Sequence, residues 1–194
     1  MELEEMVAVV TGSGNGLGMG IAKKMFVEGA SLALWDINFE SVKRLAFELD
    51  PSGQRVLPLK VDITDEAEVQ AGVVNTVDRF GRIDVLVNNA GISRHKPLEE
   101  TKLEIWEAVI KVNLTGTFIC CKAVAPIMKR QEFGKIVNIA SLGGRTGRPG
   151  VGVNYAASKG GVIGLTKLLA KKLGPSKIYG NAFCPRPTIT DQTK

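Results

Sequence analysis

Hydrophobic positions along the chain fall into short continuous runs that alternate with stretches of helical spacing. The run 6–10 (Met-Val-Ala-Val-Val) is apolar at every position, as is 83–87 except for Asp84, and 31–35, 55–61, 134–140 and 178–184 are mostly apolar or β-branched. Strands buried on both faces read this way, because in a parallel sheet covered by helices neither face meets water. Between the runs, apolar residues recur at three- and four-residue intervals over 17–28, 39–49, 66–80, 103–112, 114–130 and 154–173. That spacing predicts amphipathic helices. Strands alternating with helices predict an α/β protein with a parallel sheet, and 194 residues suit a single domain spanning 1–194.

The junctions add detail. Asn38 and Asp65 (or Thr64) are placed to cap the second and third helices, and Gly81-Arg82 to end the third. Asn113 falls between two helical stretches, where an asparagine competes for main-chain hydrogen bonds and marks a kink. The segment 142–152, rich in Gly and Arg, is expected as a surface loop near the site, and 185–190 as irregular chain. The early turns of 154–173 carry Ala156, Ala157, Gly160, Gly161 and Gly164, small enough for another helix or another subunit to pack closely.

The first strand runs into Thr11-Gly12-Ser13-Gly14-Asn15-Gly16-Leu17-Gly18 and then a helix. Glycines let the main chain approach a pyrophosphate, and the helix N-terminus offers N–H groups and a positive dipole end. A plain Gly-rich turn is the alternative. Asp36 ends the second strand, about 20 positions on, where an acid accepts from an adenosine ribose and repels a 2′-phosphate. Asn15 supplies no cation for that phosphate, so NAD is favoured over NADP; Asp36 could also cap the next helix. Asn88-Asn89-Ala90-Gly91 follows the fourth strand, at the end that faces a ligand crevice in open α/β sheets. Tyr155 and Lys159, four apart on one helix, share a face. An ammonium beside a phenol lowers its pKa, which would let the pair move a proton near neutral pH, although chance alone often produces the spacing.

Composition narrows the rest. Net charge is +5 without a dense basic block, which gives no nucleic-acid footprint. Three cysteines without metal-type spacing provide neither a disulfide framework nor a metal site, and Cys120 and Cys121 are expected to pack as small hydrophobes in a reducing, cytoplasmic compartment. The acidic start lacks a signal peptide's features, and no apolar run approaches the ~20 residues of a membrane span. The single histidine, His95, reads as a solvated loop residue, with substrate contact as the alternative.

Taken together, the glycine turn at 11–18, Asp62, Asn88-Asn89-Ala90-Gly91, Asn113, Ser141, Tyr155, Lys159, Asn181 and Pro185 resemble the short-chain dehydrogenases/reductases over nearly the whole length. The similarity is greatest to the branch of 3-oxoacyl-(acyl-carrier-protein) reductases and sugar and secondary-alcohol dehydrogenases. The resemblance implies a doubly wound, three-layer parallel sheet of the Rossmann type. It implies that Tyr155 is the general acid/base, that Lys159 tunes it and binds the nicotinamide ribose, that Ser141 orients the substrate oxygen, and that Asn113 holds a relay water. Gly12, Ser13, Asn15, Gly16 and Leu17 would cradle the cofactor, with Asp36 on the ribose, Asp62 and Ile63 at the adenine, Asn89, Ala90 and Gly91 along the adjacent ribose, and Pro185 completing the set. The expected activity is NAD-dependent hydride transfer with a small alcohol or ketone, in a homodimer or homotetramer. The alternatives are an NADPH-dependent 3-oxoacyl-carrier reductase and a dinucleotide-binding protein without turnover.

Two features depart from that pattern. Pro185 is followed by Arg186 where the family has Gly, and Tyr179 and Gly180 interrupt the apolar sixth strand. Members of the branch also continue some tens of residues further, with a substrate-covering segment and a seventh strand. The part after the sixth strand is therefore expected to be missing from this sequence or shortened, the former being favoured.

Overall fold

The computed structural model describes residues 2–186. Among these, six parallel strands form one sheet in the order β3-β2-β1-β4-β5-β6, comprising β1 (Val7–Thr11), β2 (Ser31–Asp36), β3 (Val56–Lys60), β4 (Val85–Asn88), β5 (Gly134–Ile139) and β6 (Ile178–Phe183). The order reverses direction between β1 and β4, whose register pairs Ala8 with Val85 and Val10 with Val87. At such a reversal the connections leave toward opposite faces, which opens a crevice at the carboxyl ends of the two strands.

Helices cover both faces. Val9, Ala33, Trp35, Leu86 and Ile136 point into a core closed by α3 (Glu66–Phe80) and α5 (Thr117–Gln131), which supply Val69, Val73, Cys120, Cys121 and Val124. Their neighbours Ala8, Val10, Leu32, Leu34 and Val87 point the other way, onto Ala22 of α1 (Gly16–Val27) and Val42 and Leu45 of α2 (Phe39–Leu49). Continuous apolar strands thus fill two cores at once, as the three-layer expectation requires. Asn38 caps α2 by accepting from Ser41 N–H, and Asp65 caps α3 by accepting from Ala67 and Glu68 N–H. Gly81 closes α3 in a left-handed conformation at φ 79°.

The structure differs from the sequence reading in several places. The helical stretch Leu103–Gln131 is 29 residues long with a mean hydropathy of 1.4, long and apolar enough by composition to cross a membrane. Its apolar residues do not form one continuous run; Val109, Ile119, Cys120, Cys121, Val124 and Met128 are buried inside the protein. Within it, α4 (Leu103–Ile110) passes into α5 through a π-helical turn, Lys111–Gly116, where a simple kink at Asn113 was expected. The expected loop 142–152 begins with a short helix, α6 (Leu142–Thr146), capped by Ser141. Its Gly144 lies against the main chain of Gly160 in α7 (Val153–Leu173), and Leu114 lies against Gly161, so elements of this same chain cover part of the small-residue face. Despite Tyr179 and Gly180, β6 forms and pairs with β5 through Lys135–Tyr179 and Ile136–Gly180, leaving Tyr179 and Phe183 exposed. The irregular segment expected beyond Pro185 lies, from 187 on, outside the described residues.

Candidate active site

Two adjoining cavities open at the carboxyl ends of the strands. The first, of ≈ 450 Å³, is walled by Gly12, Asn15, Gly16 and Leu17, by Asp36 at the end of β2, by Asp62, Ile63 and Thr64 after β3, and by Asn89, Ala90 and Gly91 after β4. Gly12 sits at φ +61°, and a Cβ there would lie 2.7 Å from Ala90 Cα. A Cβ on Gly18 would run into the carbonyl of Gly12 and the amide of Asn89, so only glycine lets α1 start this close to β1. Asn89 Nδ2 donates to the carbonyls of Thr11 and Gly12 at 3.0 Å each, fastening the glycine turn to the end of β4.

Asp36 is held by two main-chain donors: Gly14 N–H to Oδ2 and Asn38 N–H to Oδ1, both at 2.9 Å. The carboxylate therefore keeps a fixed direction while lone pairs on both oxygens remain for a ligand. It does not cap α2; Asn38 does. Asp62 is fixed in the same way, accepting from Thr64 N–H at 2.8 Å. Ser13 departs from expectation. Its side chain is fully buried with Oγ 3.4 Å from the Trp35 carbonyl, and it lines neither cavity, because the turn directs it toward β2.

The second cavity, of ≈ 290 Å³, brings together Ser141, Tyr155, Lys159 and Pro185. Ser141 follows β5; its Oγ accepts from Gly143 N–H at 3.1 Å and is hydrogen-bonded with Tyr155. Tyr155 and Lys159 come from the first turns of α7. Lys159 is buried, and its Nζ donates to the Ile139 carbonyl at 2.7 Å. Burial lowers its pKa to about 8.

The expected effect of Lys159 on Tyr155 is not what this arrangement produces. Burial raises the phenol pKa above its ordinary value, and hydrogen bonding with Ser141 pulls the other way. Nζ stands 5.8 Å from the centre of the Tyr155 ring and is directed at Ile139, so the ammonium is not the group acting on the phenol here.

Asn113 lies beneath both cavities and lines neither. Fully buried, it accepts from Ile92 N–H at 2.8 Å and donates to the Ile92 carbonyl and Ser158 Oγ at 3.0 Å each. Ser158 in turn donates to the Tyr155 carbonyl at 2.8 Å. The awkward mid-helix asparagine thus ties the loop after β4 to α7, and the π turn is where its side chain leaves the helix. Both Asn113 amide protons are used by these bonds.

Several site residues carried no sequence signal. Ile37, Ile92, Arg94 and Lys111 line the first cavity, and Arg148, Val151 and Arg186 the second. Lys111 lies in the π-helical turn, and the others sit on loops without a recognisable spacing. His95 is exposed, as expected, and also lines the second cavity. Among the described residues no group of His, Cys, Asp and Glu could hold a metal ion.

A doubly wound sheet with a glycine turn at its switch point and a Ser-Tyr-Lys cluster beside it defines a dinucleotide-type oxidoreductase site. The family described as short chain dehydrogenase matches residues 6–194. A 3-oxoacyl-[acyl-carrier-protein] reductase of Thermotoga maritima is 43% identical over 194 residues, covering 100% of this chain and 78% of that protein. A 3-ketoacyl-(acyl-carrier-protein) reductase from Brucella melitensis, solved in complex with NADH, superposes with a TM-score of 0.93 at 34% identity over 98% of this chain and 78% of that one. Levodione reductase superposes with a TM-score of 0.92 at 39% identity, over 98% and 74% of the two chains. The chain belongs to the short-chain dehydrogenase family and is an oxidoreductase.

Proposed function

We propose that the protein interconverts a secondary alcohol and its ketone with a nicotinamide dinucleotide, NAD(H) being preferred. The observation that carries this reading is the continuity of the two cavities, which share Leu17, Asn89, Gly91 and Ile92. An extended ligand held by the glycine turn in the first cavity would reach Ser141, Tyr155 and Lys159 in the second. The residues fit such a ligand. Gly12 leaves room for close approach, Asn15, Gly16 and Leu17 form the start of α1, Asp36 offers acceptors to a ribose, and Asp62 and Ile63 line the wall beyond it. Asn89, Ala90 and Gly91 complete the cradle, and Pro185 closes the second cavity.

When bound, the dinucleotide supplies or accepts the hydride. The protein orients the substrate and manages one proton. Ser141 donates its hydroxyl proton in a hydrogen bond to the substrate oxygen. Tyr155, whose phenol burial holds toward its protonated form, gives its proton to that oxygen during reduction and takes it back during oxidation. The phenolate left behind keeps the hydrogen bond with Ser141 and regains its proton from solvent through the second cavity, while the Lys159 ammonium, bonded to the Ile139 carbonyl and 5.8 Å from the ring centre, adds only its charge. Replacing Tyr155 by Phe tests this. Loss of the proton donor should lower kcat about 10²–10⁴-fold with folding intact. Turnover within a few-fold of the parent would overturn the reading.

Reduction of a carrier-bound 3-oxoacyl thioester with NADPH is the second reading, favoured by the relatives of that activity. Lys129 and Arg130, exposed at the end of α5, suit an acidic carrier. Comparing NADH with NADPH, and a carrier thioester with simple ketones, separates the two. Self-association and a reducing compartment belong to the same proposal. Phe118 and Leu168 are exposed on α5 and α7, and the three cysteines are unpaired.

A further inference from the structure

The two cavities differ in charge. In the first, Arg94 and Lys111 are matched by Asp36 and Asp62. Among the described residues the second has His95, Arg148, Lys159 and Arg186 in its wall and no Asp or Glu. Lys159 is turned inward onto the Ile139 carbonyl, so its charge is not presented at the mouth. Arg148 is. It lies exposed on the short loop between α6 and α7, between Gly147 at φ 63° and Gly150 at φ 82°. Among the described residues no hydrogen bond or ion pair engages its guanidinium, whereas Lys23, Lys24, Arg82, Lys122 and Lys177 each pair with a carboxylate.

We infer that the substrate carries an anionic group, a carboxylate or a phosphate, which Arg148 binds at the mouth of the second cavity. This rests on the alcohol–ketone reading above and adds the substrate's charge to it. A planar guanidinium offers paired N–H donors that match carboxylate and phosphate oxygens, and it stays charged at any working pH. A cavity wall with cations and no acid also raises the local concentration of an anion, and added salt weakens that attraction. His95, on the loop after β4, lines the same cavity and adds an N–H donor.

Two matched pairs of probes test the inference on the full chain. Acetoacetate is compared with 2-butanone, and acetoacetyl-coenzyme A with the N-acetylcysteamine thioester of acetoacetate. The anionic member of at least one pair should be reduced with a kcat/KM at least 10-fold above its neutral partner at low salt. Arg148→Gln should bring that advantage to within about 2-fold, mostly through KM. Arg148→Lys should keep part of it, and Arg145→Gln, on α6 outside the cavity wall, should leave it unchanged. An advantage confined to the first pair identifies a small oxo acid, and one confined to the second a phosphate-bearing carrier. Equal use of neutral and anionic probes, or equal loss for both on Arg148→Gln, overturns the inference. Calorimetric titration of acetoacetate and of coenzyme A into cofactor-loaded Tyr155→Phe reads anion binding without turnover. Binding of either that Arg148→Gln weakens about 10-fold supports the inference even if the Tyr155 assignment fails. No binding of either and no anionic preference sinks it.

Discussion

Lys159 Nζ is bound to the Ile139 carbonyl at 2.7 Å, although Lys159 shares a helix face with Tyr155. The bond joins the first turns of α7 to the end of β5 and places a charge inside the protein. A buried ammonium that makes one hydrogen bond is poorly solvated, and its pKa falls from the ordinary 10.5 to about 8.

A pH dependence of stability follows. Below pH 8 both the folded and the unfolded chain hold this proton, and the folded state bears the full desolvation cost. Between pH 8 and 10.5 the unfolded chain still holds a proton that the folded chain has released, so stability rises with pH through that window. The total is on the order of 3 kcal/mol for a shift of this size. Lys159→Met lacks the titration. Urea unfolding at pH 7.5, 9 and 10.5 should show the parent gaining stability relative to Lys159→Met by roughly that amount; a constant difference between them contradicts the assignment.

Gly18 sets the entry angle of α1. A methyl group there meets the main-chain carbonyl of Gly12 and the side-chain amide of Asn89, which is itself held on the Thr11 and Gly12 carbonyls. Gly18→Ala should cost about 1–3 kcal/mol through overpacking. Dinucleotide affinity should fall with it, because the turn that moves is the cradle itself. Gly20→Ala is the control, since nothing lies within 4 Å of a Cβ there and Ala favours helix. Thermal unfolding of the two variants should differ in sign.

Much of this was legible in the sequence, for identifiable reasons. Strands buried on both faces leave unbroken apolar runs, and caps such as Asn38 and Asp65 act within three residues of their targets, so both are local signals. Asn113 was legible as an anomaly: an asparagine where a helix should continue is bonded instead to Ile92 and Ser158. What depended on direction in space was not legible. The burial of Ser13 and the turn of Lys159 onto Ile139 depend on where a side chain points within a turn. The rise of the Tyr155 pKa depends on how much of the ring is covered. Arg148 sits in a Gly-rich loop whose course no periodicity describes.

Asp36 governs the choice of dinucleotide. Its carboxylate, fixed by Gly14 and Asn38 N–H, lines the first cavity, and the residues flanking it there, Asn15 and Ile37, carry no positive charge. A 2′-phosphate placed beside it meets a like charge. Asp36→Ser removes that repulsion and keeps an oxygen near Gly14. The ratio of NADPH to NADH affinity should rise by about one to two orders of magnitude, equivalent to ~1.4–3 kcal/mol. Fluorescence titration of both cofactors measures it, and an unchanged ratio would mean that Asp36 does not face the ribose.

A second tie holds α7 to β5. Asn138 Nδ2 donates to Thr166 Oγ1 at 2.8 Å, and Asn88 Nδ2 donates to Asn138 Oδ1 at 2.8 Å, so a buried polar chain crosses from β4 through β5 to the helix. Asn138 immediately precedes Ile139, the partner of Lys159, and Thr166 lies seven residues beyond Lys159 on the same helix. The helix is thus pinned at two points about 10 Å apart along its axis, which fixes the axial position of Tyr155 and Lys159 against Ser141. Thr166→Val keeps the shape and leaves the Asn138 amide without its acceptor, at a cost of about 1–3 kcal/mol. If the pin also positions the site, kcat should fall several-fold while KM for the dinucleotide stays level, since the first cavity is built from other elements. Thr166→Ser, which restores the hydroxyl, should recover both stability and kcat. A valine variant as stable and as active as the parent would show that the bond contributes to neither.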